Sequence, residues 1–434
     1  MGKFRIVFVP VAVLLFISSG IGVAADLEGL ATEIEQLAKN VEPKVIEWRR
    51  DFHQNPELSN REFRTSRVIA GLLEGMGLEV QTGIAHTGVV GILRGQKDEP
   101  VVALRADMDA LPVTEKTGLP FASKARGEYN GKEVDVMHAC GHDNHMAILL
   151  GAASVLTQLK DKLPGTVKFI FQPAEEGTPN GETGGARLMI AEGVLKNPDV
   201  DAIFGLHVFP QPLGTIGYRE GGLLASADGL EIKVTGKQAH GGMPWLGVDP
   251  IVVSAQIILG LQTIISREVD LTTSAAVVTI GKISGGVRSN IIPSEVEMVG
   301  TIRTLDPTIQ DLLHVKIRER AEKIAESAGA KAEVTIHKGV PVTFNDVDLT
   351  REMAPTLQKV VGEGSCHVEN PTTGAEDFAF YSEQIPSMFF MLGTRPPDAE
   401  LIPNHSPYFD ADERALVIGV KAMVNLAVDY LAGH

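Results

Sequence analysis

This sequence is short of cysteine, of aromatic rings and of positive charge, and each shortage narrows the functions open to it. Aromatic residues make up 5% of the chain, too few for stacking platforms along a single-stranded nucleic acid. With 39 basic against 55 acidic side chains, no net positive field draws in a phosphate backbone, so no nucleic-acid partner is expected. Beyond the first 25 residues, no stretch reads as long and apolar enough to cross a bilayer, so no membrane association of the mature chain is expected. Internal repeats and low-complexity tracts are missing too. The cysteines are only Cys140 and Cys366. In an oxidising compartment two such residues commonly pair as a disulfide. Cys140, however, lies within HACGHDNH (138–145), with imidazoles on both sides, a setting that favours a metal thiolate and leaves Cys366 a lone thiol.

What is present supports a folded, exported protein. Hydrophobic residues are 44% and charged residues 22% of 434, enough for a real core and for two domains, or one large domain carrying an insertion. Lys3 and Arg5 precede an apolar run over 6–17 interrupted only by Pro10, and Val23, Ala24 and Ala25 offer a small-residue cleavage site. That pattern reads as a signal peptide, residues 1–25, giving a periplasmic or secreted protein; an uncleaved anchor is the alternative, for which the run is short.

Beyond the leader, helices are expected over 27–50, 62–76, 144–160 and 185–196. Apolar runs at 101–109, 166–176 and 201–208 alternate with them. Such alternation predicts an α/β domain, a mostly parallel sheet with helices on both faces. Each apolar run ends in Asp, Glu or His, and ligands of open α/β sheets bind outside the carboxyl ends of strands. From 227 the order becomes strand (227–236), helix (250–268), strands (274–284 and 294–303), helix (307–328) and strand (332–337). That is the ferredoxin-like α+β order. Residues 224–338 are therefore expected to form an inserted domain, with 26–223 and 339–434 making up the catalytic one.

Four segments carry side chains suited to metal. HACGHDNH offers Cys140 and His142, with Asp143 and His145 behind them; QPAEEG (172–177) offers Glu175 and Glu176; GLHVFP (205–210) offers His207; and IPNHSP (402–407) offers His405. Thiolate, imidazole and carboxylate together suit Zn²⁺ and its first-row neighbours, not Ca²⁺ or Mg²⁺. The candidates exceed the roughly three protein ligands that one open catalytic zinc needs, and their scatter is unlike a closed structural site. They fit two metals ~3.5–4 Å apart that share a bridging group. Adjacent side chains on a strand point to opposite faces, so at a strand end Glu175 and Glu176 can do different jobs, one binding metal and one taking a proton from water. Taken singly, the Glu pair reads as solvated loop glutamates, and His207 or His405 as a satisfied core or loop histidine.

In its motifs the chain resembles the aminoacylase and carboxypeptidase-G superfamily of metal-dependent amidohydrolases, most closely the branch of hippurate hydrolases and plant indole-acetyl-amino-acid hydrolases. The resemblance runs from about residue 40 to the C-terminus. It rests on RRDFHQNPELSNREFRTS (49–66), LRADMDALPV (104–113), MHACGHDNHMA (137–147), FQPAEEG (171–177), GLHVFP, KQAHGGMPWLGVDP (237–250), VRSNIIP (287–293), GAEDFAFYSE (374–383) and PNHSPYFD (403–410).

The resemblance implies two divalent metal ions per subunit, zinc or alternatively manganese, cobalt or nickel, held by Cys140, His142, Glu176, His207 and His405. It implies Glu175 as general base and Asp109 as a residue orienting a ligand imidazole; Asp107 stands where the wider superfamily has a metal-binding histidine and receives no role. It further implies that the inserted domain is a lid and dimerisation domain of a homodimer. His240 would stabilise the oxyanion, often in the partner subunit's site, while Asn290 and Arg303 would bind the product carboxylate. Gly374 would let backbone line the pocket. Arg303 read alone is a surface arginine on a strand. The expected reaction is hydrolysis of the amide bond of an N-acyl amino acid. A dipeptidase or carboxypeptidase on the same site is the alternative, and a diaminopimelate-type deacylase a lesser one. A binding protein on an inactive scaffold would have lost a ligand or the base, and none is missing. A zinc-stabilised interaction module is disfavoured by the dispersed ligands.

Overall fold

The structure is a computed structural model that describes the backbone of residues 20–434 and the side chains from residue 29 onward. The expected leader, residues 1–25, lies outside the described residues except for the backbone of 20–25, which opens the first helix.

The first part of the chain forms α1 (Gly20–Gln54), α2 (Phe63–Gly75), β1 (Glu79–Ile84), β2 (Gly88–Arg94), β3 (Val101–Asp107), α3 (His142–Gln158), β4 (Thr166–Gln172), α4 (Gly185–Ala191), β5 (Ala202–Pro212) and β6 (Ile216–Tyr218). Every residue of β3 and β4 is buried, as strands covered on both faces must be, which is why VVALRAD and TVKFIFQ are mostly apolar, with Arg105, Asp107, Lys168 and Gln172 as their buried polar members. The helix α4 stops at Ala191, short of the expected 196. Gly193 turns left-handed there (φ +88°), and the amides of Gly193 and Val194 close a Schellman motif on Ile190 and Met189.

The second unit runs β7 (Ala227–Thr235), α5 (Pro250–Glu268), β8 (Ala276–Gly285), β9 (Glu295–Thr304), α6 (Pro307–Ser327) and β10 (Lys331–Val340). Both of its helices start on an Asp-Pro pair. Asp249 caps the amides of Ile251 and Val252, and Asp306 those of Thr308 and Ile309, with the proline at the first helical position, where its missing N–H costs nothing. The four strands are antiparallel in the order β8-β9-β7-β10, the ferredoxin-like arrangement, with α5 and α6 packed on one face.

The chain then returns through α7 (Val347–Val361), β11 (Cys366–Val368), α8 (Ala379–Ser382), β12 (Ser387–Arg395) and α9 (Arg414–Gly433). The large sheet has the order β1-β2-β4-β3-β5-β12-β6-β11. Its centre, β4-β3-β5-β12, is parallel, and β2 and β6 flank it antiparallel. One face is covered by α1, α3 and α9, the other by α4, α8 and Phe378–Tyr381. Contrary to the sequence reading, α5 and α9 do have the length and composition of membrane spans. Each nonetheless buries residues against its own sheet: Leu261 and Ile264 in α5, Val420 and Met423 in α9.

Register sets the level at which the functional side chains emerge. Asp107 pairs with Gln172, and Arg105 pairs with Gly205, two residues before His207. The ends of β3 and β4 and the latter half of β5 therefore lie side by side.

Candidate metal centre

The predicted ligands meet at this level. Cys140 Sγ lies 3.3 Å from His207 Nε2 and 3.2 Å from His405 Nε2. His405 Nε2 is 3.1 Å from Glu176 Oε1, and His142 Nε2 is 3.9 Å from one carboxylate oxygen of each of Glu175 and Glu176. The ligand atoms fall into overlapping groups, each within 4.8 Å: Cys140, His142 and His207; Cys140, Glu176 and His405; His142, Glu175 and Glu176. Cys140 thus stands between neighbouring groups. Both cysteines are free, and Cys366 is buried on β11, so the disulfide alternative does not hold.

Local backbone explains how residues so far apart in sequence are aimed. Gly141, between Cys140 and His142, has φ +100°, and a Cβ there would come within 2.4 Å of Val208, so only glycine passes. His405 itself is left-handed (φ +68°), a strained conformation held by its amide's hydrogen bond to Ala139 O (2.7 Å). Asn404 donates to both Cys140 O (2.8 Å) and Val208 O (3.2 Å), tying the returning loop to the other two ligand segments. His207 Nδ1 faces its neighbour's carbonyl, Val208 O, at 2.8 Å, which sets the tautomer and leaves the Nε2 lone pair for a cation.

The Glu pair departs from expectation. The strand ends at Gln172, so Glu175 and Glu176 sit in a turn beyond it, after a left-handed Ala174 (φ +53°). Strand alternation does not apply there, and both carboxylates reach the same His142 Nε2. Their further partners separate them: the same Glu176 Oε1 also meets His405, whereas the other oxygen of Glu175, Oε1, accepts the Asp377 amide at 3.4 Å. His207 likewise lies inside β5, not at its end.

Carboxylates hold that turn in place. Asp109 accepts from the amides of Glu175 (3.0 Å) and Glu176 (3.1 Å) and from the Ser59 hydroxyl (2.8 Å), and lies 3.4 Å from His142 Nδ1. Glu62 accepts from the Ala174 amide (3.0 Å) and the Thr87 hydroxyl (2.7 Å). Asp107, without a role in the sequence reading, joins the fully buried Arg105 (2.7 Å) to His145 (2.6 Å). The other ring nitrogen of His145 accepts from Val208 N, so this imidazole is fully engaged. Arg105 also binds Glu376, Asp377 and Gln172, each at 3.0 Å. Asp143 faces away from the centre and pairs with the buried Arg49 and His53, both at 2.8 Å. Sequence reasoning missed Ser59, Glu62, Arg105 and Asn404. The only signal for them is their place within the matched motifs.

The electrostatics match a cation site. Asp107, Asp109, Glu175, Glu176, Glu376 and Asp377 crowd a buried region in which Arg105 is the fixed positive charge. Burial, then Glu376 and Glu176, push the Glu175 carboxyl well above its usual range. Burial, then Glu176 and Glu175, do the same to the Cys140 thiol. Burial opposes charge on His142, but Asp107 and Asp109 outweigh it and lift the ring to about 10. Among the described residues, both ring nitrogens of His142 and Glu176 Oε1 are buried without a hydrogen bond of good geometry, although Asp109 and His405 lie within ion-pair distance of them. Orphaned donors of this chemistry, in a field this negative, fit divalent cations.

The remaining predicted residues lie on the second unit and the returning loop. His240 and Asn290 share one exposed ribbon, where His240 pairs in register with Ile291 and the Gly241 amide donates to Asn290 O at 2.8 Å. Arg303 is half-buried on β9, on the face away from α5 and α6, with no ion pair among the described residues. No hydrogen bond or ion pair among the described residues ties these three to the ligand cluster. Gly374 is exposed, and a Cβ there would meet only Leu224, at an ordinary 3.6 Å. The chain's own packing therefore does not require glycine at 374.

Comparison with known proteins places this geometry among hydrolases. Residues 103–429 match the family model described as Peptidase family M20/M25/M40. The chain is 41% identical over 387 residues to an N-acetylcysteine deacetylase of Bacillus subtilis, covering 89% of this chain and 96% of that one. It is 37% identical over 418 residues to IAA-amino acid hydrolase ILR1-like 2 of Arabidopsis thaliana, covering 94% and 90%. Among solved structures, a Bacillus subtilis protein described as a dinuclear metal binding peptidase from M20 family superimposes with a TM-score of 0.77 at 38% identity, covering 91% and 99%.

Proposed function

The chain belongs to peptidase family M20/M25/M40 and is a hydrolase, and from that premise we propose that it cleaves the amide bond of N-acyl amino acids, hippurate-like or indole-acetyl-amino-acid-like. One observation carries the reading: Cys140, His142, Glu176, His207 and His405 converge beside a further carboxylate, Glu175, whose Oε1 accepts the Asp377 amide and whose Oε2 lies 3.9 Å from His142 Nε2. Two divalent cations held by those five side chains, zinc or else manganese, cobalt or nickel, would polarise the scissile carbonyl and acidify water.

Glu175 takes the proton of the attacking water and returns it to the leaving nitrogen. Asp109 and Glu62 fix the turn from which Glu175 acts. His240 meets the oxyanion, and Asn290 and Arg303 bind the free carboxylate of the amino acid. Because the contacts of His240 lie within its own ribbon, a second copy of the chain supplies it, and the enzyme works as a homodimer. The exposed apolar side chains of the same unit, Trp245 (74% exposed), Leu259 (71%) and Val287 (92%), support that surface as the interface. Hydrolysis of short peptides at the same centre is the second reading, favoured by the likeness to an M20 peptidase. Export of the chain is supported by Lys3, Arg5, the apolar run over 6–17 and the small residues Val23–Ala25.

The test is a hydrolysis screen of benzoyl, acetyl and indole-acetyl amino acids alongside dipeptides, after metal stripping and separate reloading. Hydrolysis of an N-acyl amino acid that depends on the metal is expected. A fully loaded protein that cleaves none of them would overturn the reading.

A further inference from the structure

The stretch NPELSNREFRTS (55–66) supplies neither a ligand nor the base, yet consecutive members of it hold different points of the loop that supplies both. Ser59, Asn60, Arg61 and Glu62 lie on the connector between α1 and α2. The loop over 174–184 faces them, running from the left-handed Ala174 through Glu175 and Glu176 to Gly184, where α4 begins. Glu62 takes its near end through the Ala174 amide (3.0 Å), and Ser59 bonds Asp109 (2.8 Å), which accepts the next two amides. Asn60 and Arg61 take its far end. Asn60 Nδ2 donates to Glu182 Oε2 (3.0 Å) and Thr183 O (3.1 Å), and both η nitrogens of Arg61 donate to the Glu182 carboxylate (3.1 and 2.5 Å).

Packing closes the neck of the loop. A Cβ on Gly184 would lie 2.6 Å from Asn60 Oδ1, 2.8 Å from Thr178 Cγ2 and 3.2 Å from Ala174 Cβ, so the two ends abut with Asn60 beside them. Gly184 is extended (φ 178°), and its missing side chain therefore serves space alone. Asn60 is buried and left-handed (φ +60°), a conformation asparagine adopts more readily than most residues. Thr178 Oγ1 donates to Glu182 O (2.9 Å), tying the loop to itself, as compact loops with abutting ends do.

The two grips differ in exposure. Glu62 and Asp109 are buried, whereas the Arg61 and Glu182 side chains are 46% and 34% exposed. An ion pair in water contributes little and opens readily. Glu176 thus sits between a buried grip at its own amide and a latch that can open. We infer that Asn60 and Arg61 are positioning residues: by latching Glu182 they hold the far limb of the loop, and so set how fast a cation bound by Glu176 leaves. The inference rests on the reading of two cations held by Cys140, His142, Glu176, His207 and His405, and adds what retains one of them. Two of the ligand groups contain Glu176 and depend on the loop, while the group of Cys140, His142 and His207 does not.

The experiment mixes zinc-loaded protein with an excess of a chromophoric chelator and follows the release of each zinc ion. Wild type is compared with Arg61→Met, Glu182→Gln, Asn60→Gly and Gly184→Ala. Glycine at 60 keeps the left-handed backbone without strain. Arg94→Met, which removes an exposed pair with Glu79 on the β1–β2 ribbon, is the control and should change nothing. In each of the four loop variants one zinc ion should leave about tenfold faster than in wild type, the scale of one hydrogen bond to a charged group, and the other within about twofold of it. The urea midpoint of the metal-free protein should stay at the wild-type value. The reversed pair, Arg61→Glu with Glu182→Arg, should return release to within about threefold of wild type. Both ions leaving faster by the same factor, neither leaving faster, or a reversed pair as fast as the single variants would each overturn the inference. Wild type that binds no zinc would instead sink the two-cation reading.

Discussion

Asp109 holds Glu175 by its backbone: the carboxylate accepts the Glu175 amide at 3.0 Å, with its second oxygen on the next amide along. The base proposed for the reaction is thereby aimed by a buried residue two positions past the end of β3, in a turn that starts from a left-handed alanine.

Replacing Asp109 by Asn exchanges an all-acceptor group for one with a donor facing an amide or the Ser59 hydroxyl. Metal affinity is expected to fall about 10–100-fold, with kcat falling alongside and the fold intact. Metal titration of the purified variant, with circular dichroism as the control, checks this.

Glu175→Gln keeps the size of the side chain and removes its basicity. Turnover should drop by about 10²–10⁴ while bound metal per chain stays at the wild-type value. A variant retaining a tenth of normal activity would remove Glu175 from the role of base.

The free state of both cysteines is open to direct titration. Denatured but unreduced protein should react with thiol reagent at both Cys140 and Cys366. Cys140→Ser should cut metal content sharply, whereas Cys366→Ser should leave it unchanged.

His53 is buried between Asp143 (2.8 Å) and Glu115 (3.2 Å). Burial works against its charge, but Asp143 outweighs burial and lifts the ring from 6.5 to about 9. A raised imidazole stabilises the fold fully below the unfolded value and loses that contribution as pH rises through the folded one. The stability gap between metal-loaded wild type and His53→Gln should therefore be largest near pH 6, at most about 3 kcal/mol, and shrink by pH 10. Urea unfolding at the two pH values measures it; a gap constant across that range would show that the ring does not titrate there.

If His240 acts on the other subunit of a dimer, two inactive variants should rescue each other. Mixing Glu175→Gln chains with His240→Ala chains after unfolding and refolding should restore about a quarter of wild-type activity, because half the dimers then carry one complete site. No recovery in verified mixed dimers would place His240 in its own chain's site.

Much of this arrangement was legible beforehand because its signals are local. The helix Pro250–Glu268 announces itself through Asp249 and Pro250, and β7 through strict alternation. The motifs around Cys140, Glu175, His207 and His405 named the side chains that the structure brings together as candidate ligands. The Glu pair was misread because a left-handed Ala174 leaves no mark in composition, and strand alternation was carried four residues beyond Gln172, to Glu176. The roles of Asp107 and Glu62 were invisible, since their partners lie 38 and 112 positions away.

Sequence alone determined the kinds of side chain available to a cation and the order of helices and strands, because propensity, capping and hydrophobic period act over a few residues. Only tertiary structure decided that Cys140 lies between His207 and His405, that Asp109 grips two successive amides, and that Asn60, Arg61 and Glu62 hold both ends of the loop carrying Glu175. Those relations follow from strand order and register in the large sheet, and from loops closing over it, which no local pattern encodes.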